Sequence, residues 1–165
     1  MAKTTQYGSE MTRENTELHQ KMLEQAYALA QKAAEMDEVP VGAVVYDEDG
    51  KIWGEGHNLT ITNADPSAHA EIMALREAGK NRGTPNLTGL MLAVSLEPCA
   101  MCAQAMAWAR IKEVHFSATD PKSGGVLQGA SVFTHKTCHH KPAVFHGYLA
   151  DENKALLQTF FKAKR

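Results

Sequence analysis

The chain is predicted to fold as an α/β protein, a three-layer α/β/α sandwich around a mixed central sheet. Three observations carry this. Helical and strand-like periodicities follow one another in the order α-β-β-α-β-α-β and close on a helix. The Leu90–Leu96 strand candidate is almost continuously apolar, as in a sheet covered on both faces. A length of 165 residues with 44% hydrophobic and 22% charged side chains suits one domain with a real core. We expect a single domain over 1–165, with about 1–12 as a polar N-terminal extension.

Thr12–Met36 reads as an amphipathic helix, because Leu18, Met22, Leu23, Ala26, Leu29, Ala30 and Ala33 recur at helical spacing. Val39–Tyr46 reads as a buried strand, Asp47–Gly50 as a turn with the Asp-Gly hairpin signal, and Lys51–His57 as the returning strand. Asn58 follows, either as a plain turn residue or as a hydrogen-bonding group for a base or ribose. After a loop over 60–66, Asp65-Pro66-Ser67 opens a helix carrying His69 and Glu71, with Gly79 at its expected end. Lys80–Thr88 is polar and turn-rich, Leu90–Leu96 a strand, and Pro98–Arg110 a second short helix. Trp108 on that helix is expected in the core or at a subunit interface, and the helix's methionines in the core. Glu113–Ala118 is the next strand. The loop Asp120–Gly125 lies at its C-terminal end, where ligands sit in open α/β sheets; Asp120 is a loop cap or an acceptor for a ribose hydroxyl. Val126–Pro142 carries little pattern, and Cys138-His139-His140 within it is expected at the surface. Ala143–Tyr148 is a last short strand or edge. Ala150–Lys164 is a C-terminal helix with Leu156, Leu157, Phe160 and Phe161 as its apolar face. The basic residues at its end suit the helix dipole or reach phosphates.

Two runs concentrate chemistry: His69-Ala70-Glu71 and Pro98-Cys99-Ala100-Met101-Cys102. His69, Cys99 and Cys102 are three ligands, the number a catalytic zinc uses when its fourth position is kept for water. Cys99 and Cys102 share a face of one helix, Pro98 suits its first turn, and the helix N-terminus favours thiolates. Glu71 sits roughly 200° round a helix from His69, so it suits a proton carrier beside the metal better than an i,i+4 ligand. A structural zinc would instead need a fourth protein ligand, which Cys138, His139 or His140 offers in principle.

Composition narrows the setting. Three cysteines, two of them assigned to metal, do not form a disulfide framework, so a cytoplasmic home is expected. Met1–Glu10 is polar and lacks the apolar core of a signal peptide or anchor, and no run of about 18 apolar residues is present for a membrane span. A net charge of −2 and a pI of about 6.4 give no global sign of nucleic-acid binding, which must then rest on a local patch.

Together the His-x-Glu and Pro-Cys-x-x-Cys runs resemble the signature of the zinc nucleobase deaminases. From about Thr16 to Arg165 the chain resembles the cytidine deaminase-like superfamily, and within it the bacterial tRNA-specific adenosine deaminases. The likeness rests on Val39–Val44, Gly54–Asn58, Asp65–Leu75, Ser95–Cys102 and the end from Leu149. It implies one Zn2+ per chain held by His69, Cys99 and Cys102, and Glu71 as the catalytic proton shuttle. It also implies Asn58, Ala70, Asp120 and Phe161 as substrate contacts, a tRNA anticodon loop as partner, and a homodimer. Trp108-Ala109-Arg110 resembles the guanine deaminase branch instead. A deaminase of a free base, nucleoside or nucleotide is therefore a second expectation, and a non-catalytic zinc-stabilised interaction domain a third.

Overall fold

The computed structural model describes residues 3–4 and 13–165. Its strands are β1 (Lys3–Thr4), β2 (Gly42–Tyr46), β3 (Ile52–His57), β4 (Met91–Leu96), β5 (Glu113–Ala118) and β6 (Ala143–His146). Its α-helices are α1 (Arg13–Glu35), α2 (Ala70–Arg82), α3 (Ala100–Ala109) and α4 (Ala150–Ala163), with one 3-10 turn at Val132–Thr134. The strands form one mixed sheet in the order β1-β6-β5-β4-β2-β3. Side chains alternate across it, as strand geometry requires. Ala43, Val45, Leu92, Val94, Val114 and Phe116 point to α2 and α3, whereas Val44, Tyr46, Met91 and Ala93 point to α1. With α4 packed beside α1, this is the expected three-layer α/β/α sandwich.

The pairing directions place the site. β2 runs antiparallel to both β3 and β4, so those two point the same way, and β4, β5 and β6 are mutually parallel. The C-terminal ends of β3, β4 and β5 therefore meet the N-terminal end of β2 along one edge of the sheet. Asn58 follows β3, Cys99 follows β4 and Asp120 follows β5, so distant motifs come to one place.

Several expectations are corrected. α2 begins after His69 and runs past Gly79 to Gly83, whose left-handed φ of 73° ends it. Its last turn is tied to β3 by Asn81 Nδ2, which donates to the Trp53 carbonyl at 2.7 Å. Pro98 lies before α3 rather than inside its first turn, because Cys99 is the N-cap. Trp108 is 70% exposed and Met101 is exposed too, since α3 buries the face of Ala103, Met106 and Ala107. Cys138 is not at the surface: it is buried in the α2–α3 side of the core and donates to the His140 carbonyl at 3.1 Å. His140 in turn donates to the Ile111 carbonyl at 2.7 Å. β6 is an interior strand between β5 and β1. On α4 the buried residue is Asn153, while Phe161 is exposed. The polar extension expected over 1–12 lies outside the described residues apart from β1, which pairs antiparallel with β6.

Candidate active site

The N-termini of α2 and α3 converge beyond that sheet edge. His69 is the N-cap of α2 and Cys99 the N-cap of α3, both with extended backbone and neither using its side chain to cap the helix. Those side chains are thereby left to face one another. His69 Nδ1 lies 3.5 Å from Cys99 Sγ and 3.6 Å from Cys102 Sγ, with Cys102 one turn into α3. The donor atoms of the three residues lie within 4.8 Å of one another, and among the described residues no fourth His, Cys, Asp or Glu joins the group. Cys138, His139 and His140 in particular are absent from it. One imidazole and two thiols held this way fit a zinc ion with one position left open, and do not fit a closed structural centre.

The electrostatics suit thiolate chemistry. A hydrogen bond from Cys102, followed by the neighbouring His69, holds the Cys99 thiol far below its usual range, at about 4. The same bond to Cys99, together with burial, pushes Cys102 up. His69 is raised by its hydrogen bond with Cys99. Glu71, two residues past His69 in the first turn of α2, is only 4% exposed, and burial lifts its carboxyl to about 7.

A cavity of about 150 Å³ opens beside the triad, lined by Asn58, His69, Ala70, Glu71, Cys99 and Asp120 among others. Asn58 is buried and fixed by its amide, which donates to the Val41 carbonyl at 3.1 Å. Ala70 is buried, so its offering is main chain: its amide lies in the first turn of α2, where helix amides lack an intrahelical acceptor. Asp120 Oδ1 caps its own turn, accepting from Lys122 and Ser123 amides at 3.1 Å each. Phe161 stands apart, in a second cavity of about 850 Å³ lined by Lys122, Lys154, Lys162, Lys164 and Arg165. The two cavities share Val39, Leu96, Asp120 and Ser123.

Two buried carboxylates near the site were not singled out from the sequence. Glu38 accepts from the amides of Ile61 at 3.1 Å and Thr62 at 2.7 Å and so holds the loop after Asn58. Burial alone would raise its carboxyl, but hydrogen bonds from Thr62, Ile61 and Thr60 outweigh that and hold it below the usual range. Glu97 binds four amides of the loop after β5. Its signal was an acidic residue directly between an apolar strand and Pro98-Cys99.

Residues 16–118 match the family described as the cytidine and deoxycytidylate deaminase zinc-binding region, a span that contains both motifs. The chain belongs to this deaminase family. Like its family, it is a hydrolytic deaminase with zinc as cofactor. It is 43% identical over 143 residues to a tRNA-specific adenosine deaminase of Agrobacterium fabrum, covering 87% of this chain and 93% of that protein. It is similar to a solved structure from studies of A-to-I editing by tRNA:A34 deaminases at the wobble position of transfer RNA. That likeness has 41% identity and a TM-score of 0.81, and covers 83% of this chain and 99% of the other. A guanine deaminase structure from Bacillus subtilis is 40% identical with a TM-score of 0.59, over 61% of this chain and 64% of the other.

Proposed function

We propose that this deaminase converts the wobble adenosine of a tRNA anticodon to inosine. The observation that carries the proposal is the large basic cavity adjoining the small catalytic one, with Val39, Leu96, Asp120 and Ser123 lining both. A free base needs only the smaller space, whereas a flipped nucleotide leaves its neighbours and their phosphates outside it. Lys122, Lys154, Lys162 and Arg165 supply positive charge there, with Lys164 already paired to Asp37, although the chain as a whole is acidic. Exposed Phe161 offers a ring on which a neighbouring base can stack. The names of the similar tRNA deaminases support the same reading.

His69, Cys99 and Cys102 hold the zinc in this proposal. When bound, zinc supplies a nucleophile at neutral pH by lowering the pKa of a water to about 7. Glu71 would take one proton from the attacking water as its oxygen bonds to the amino-bearing ring carbon and pass it to the ring nitrogen; it would then take the second proton from the new hydroxyl and give it to the amino group, so that the carbon–nitrogen bond breaks and ammonia leaves. Its near-neutral carboxyl suits both halves of that exchange. Asn58 and the Ala70 amide hold the base edge, and Asp120 stands at the junction of the two cavities.

We further propose that the chain acts as one domain and as a homodimer in the cytoplasm. Exposed Trp108 flanks an apolar cavity between α2 and α3 that a second copy would cover, and a solution mass of twice 18.0 kDa is the check. All three cysteines are free thiols, which suits a reducing compartment. Among the described residues no helix is long and apolar enough to cross a membrane.

The second reading, a deaminase of free guanine or a related base, is favoured by the likeness to the Bacillus subtilis enzyme. Ammonia release separates the two. Zinc-loaded protein should release ammonia from an anticodon stem-loop with a wobble adenosine, and not from guanine, cytosine, adenosine or cytidine. Turnover of a small molecule with none of the stem-loop would replace the first reading with the second.

A further inference from the structure

Glu97 directly follows β4 and stands two residues before Cys99, yet its side chain points away from solvent and is 2% exposed. Among the described residues no ion pair meets its charge; main-chain amides do. Oε1 accepts from Asp120 at 3.0 Å, and Oε2 accepts from Val126, Leu127 and Gln128 at 3.2, 2.9 and 3.0 Å. Such charge-assisted bonds are stronger than neutral ones. The loop they gather is pressed onto the zinc helix. The Gly125 amide donates to the Pro98 carbonyl at 2.8 Å. A Cβ on Gly125 would lie 2.4 Å from the Ala100 nitrogen, and one on Gly124 would lie 2.4 Å from Glu97 Oε2. Only two adjacent glycines allow this approach. The same loop carries Asp120 and Ser123, which border both cavities.

We infer that Glu97 is a positioning residue: its carboxylate clamps the 120–128 loop onto the first turn of α3 and so sets Asp120 and Ser123 at the junction between catalytic and basic cavities. It lines the catalytic cavity beside the triad and Glu71, but its four side-chain hydrogen bonds all go to the loop amides. Its loss therefore loosens substrate binding while the metal site stays formed. The inference leans on the proposed function only for the choice of substrate.

Glu97→Gln is the test, because it keeps the shape and removes one acceptor. An amide oxygen can serve Asp120 or the 126–128 amides, and the NH2 then faces donors on the other side. The variant should keep one zinc per chain. Hydrogen exchange at 120–128 should rise about tenfold or more with α2 unchanged. KM for the stem-loop should rise about tenfold with kcat within a few-fold. Gly124→Ala, which presses on the same oxygen from the other side, should reproduce the pattern, and the double variant should show less than the sum of the two effects. It also carries the test if Glu97→Gln does not fold. A loosened loop with wild-type KM would overturn the inference, as would a raised KM with loop exchange unchanged. Should the wild type ignore the stem-loop, the substrate reading fails, and Glu97 is judged by loop exchange and by KM for the base the wild type accepts.

Discussion

At the scale of single residues, three buried carboxylates differ in what answers their charge. Glu38 and Glu97 are each met by two or more backbone amides, so they act as fixed anions that organise loops. Glu71 lies against Cys99 and Cys102, and burial brings its carboxyl to about 7, where a proton can be taken and returned. We predict that Glu71→Gln keeps its zinc and lowers kcat by about 10²- to 10⁴-fold, as loss of a general acid–base does; metal analysis beside ammonia release checks both halves. Full activity in that variant would remove Glu71 from the proton path. The nearness of Glu71 to His69 and the cysteines could be read in the sequence because they sit in two short local motifs. The partners of Glu38 and Glu97 could not, since they are amides 23 to 31 residues away, brought close only by the fold.

At the scale of elements, the site is made by two helix N-termini that arrive at one sheet edge. α2 reaches it by lying directly on β3. A Cβ on Gly56 would stand 2.4 Å from the Ala70 carbonyl oxygen and 2.7 Å from Met73 Cβ. We predict that Gly56→Ala destabilises the fold by about 1–3 kcal/mol through overpacking, read as a lower urea midpoint. It should also lower kcat, because the first turn of α2 carries Ala70 and Glu71. Wild-type midpoint and rate would show that α2 can shift freely, contrary to this packing. Element types and order were legible because their periods differ, 3.6 in α1 and an alternating or continuous apolar pattern in the strands. The ends of α2 and α3 were less so, because the helix limits depend on which residues face the site. Residues 126–142 were illegible for another reason: that segment is held by Glu97 and by core contacts of Val132, Phe133 and Cys138, not by a local repeat. Of the two places expected for Trp108, the core is excluded by its exposure; the short, Ala-rich α3 does not reveal from sequence which side the sheet covers.

At the scale of the whole molecule, the two sides of the sheet carry different titrations. On the α1 side, His19 and His115 stack with ring centroids 3.7 Å apart, and both lie against Glu113. Burial, then the facing His115, lowers His19 to about 4 despite Glu113, and burial lowers His115 as well. Between about pH 4 and 6.5 His19 therefore binds more protons in the unfolded chain than in the folded one. Its contribution to stability is full above about 6.5 and falls as the pH drops, by roughly 3 kcal/mol at pH 4. Glu71, lifted to about 7, contributes with the opposite sign, so the test uses a Glu71→Gln background: urea midpoints between pH 7.5 and 4.5 should decline there, and a flat series would contradict the buried pair. At the C-terminal ends of β4 and β5, catalytic and basic cavities meet at Asp120 and Ser123, and their joint use by one RNA strand is the central claim. The most direct test is KM for the anticodon stem-loop as salt is raised from 50 to 200 mM. With three to five phosphates contacted, KM should climb roughly 20- to 100-fold while kcat stays nearly constant. A KM that does not respond to salt would mean that the basic cavity does not hold the RNA.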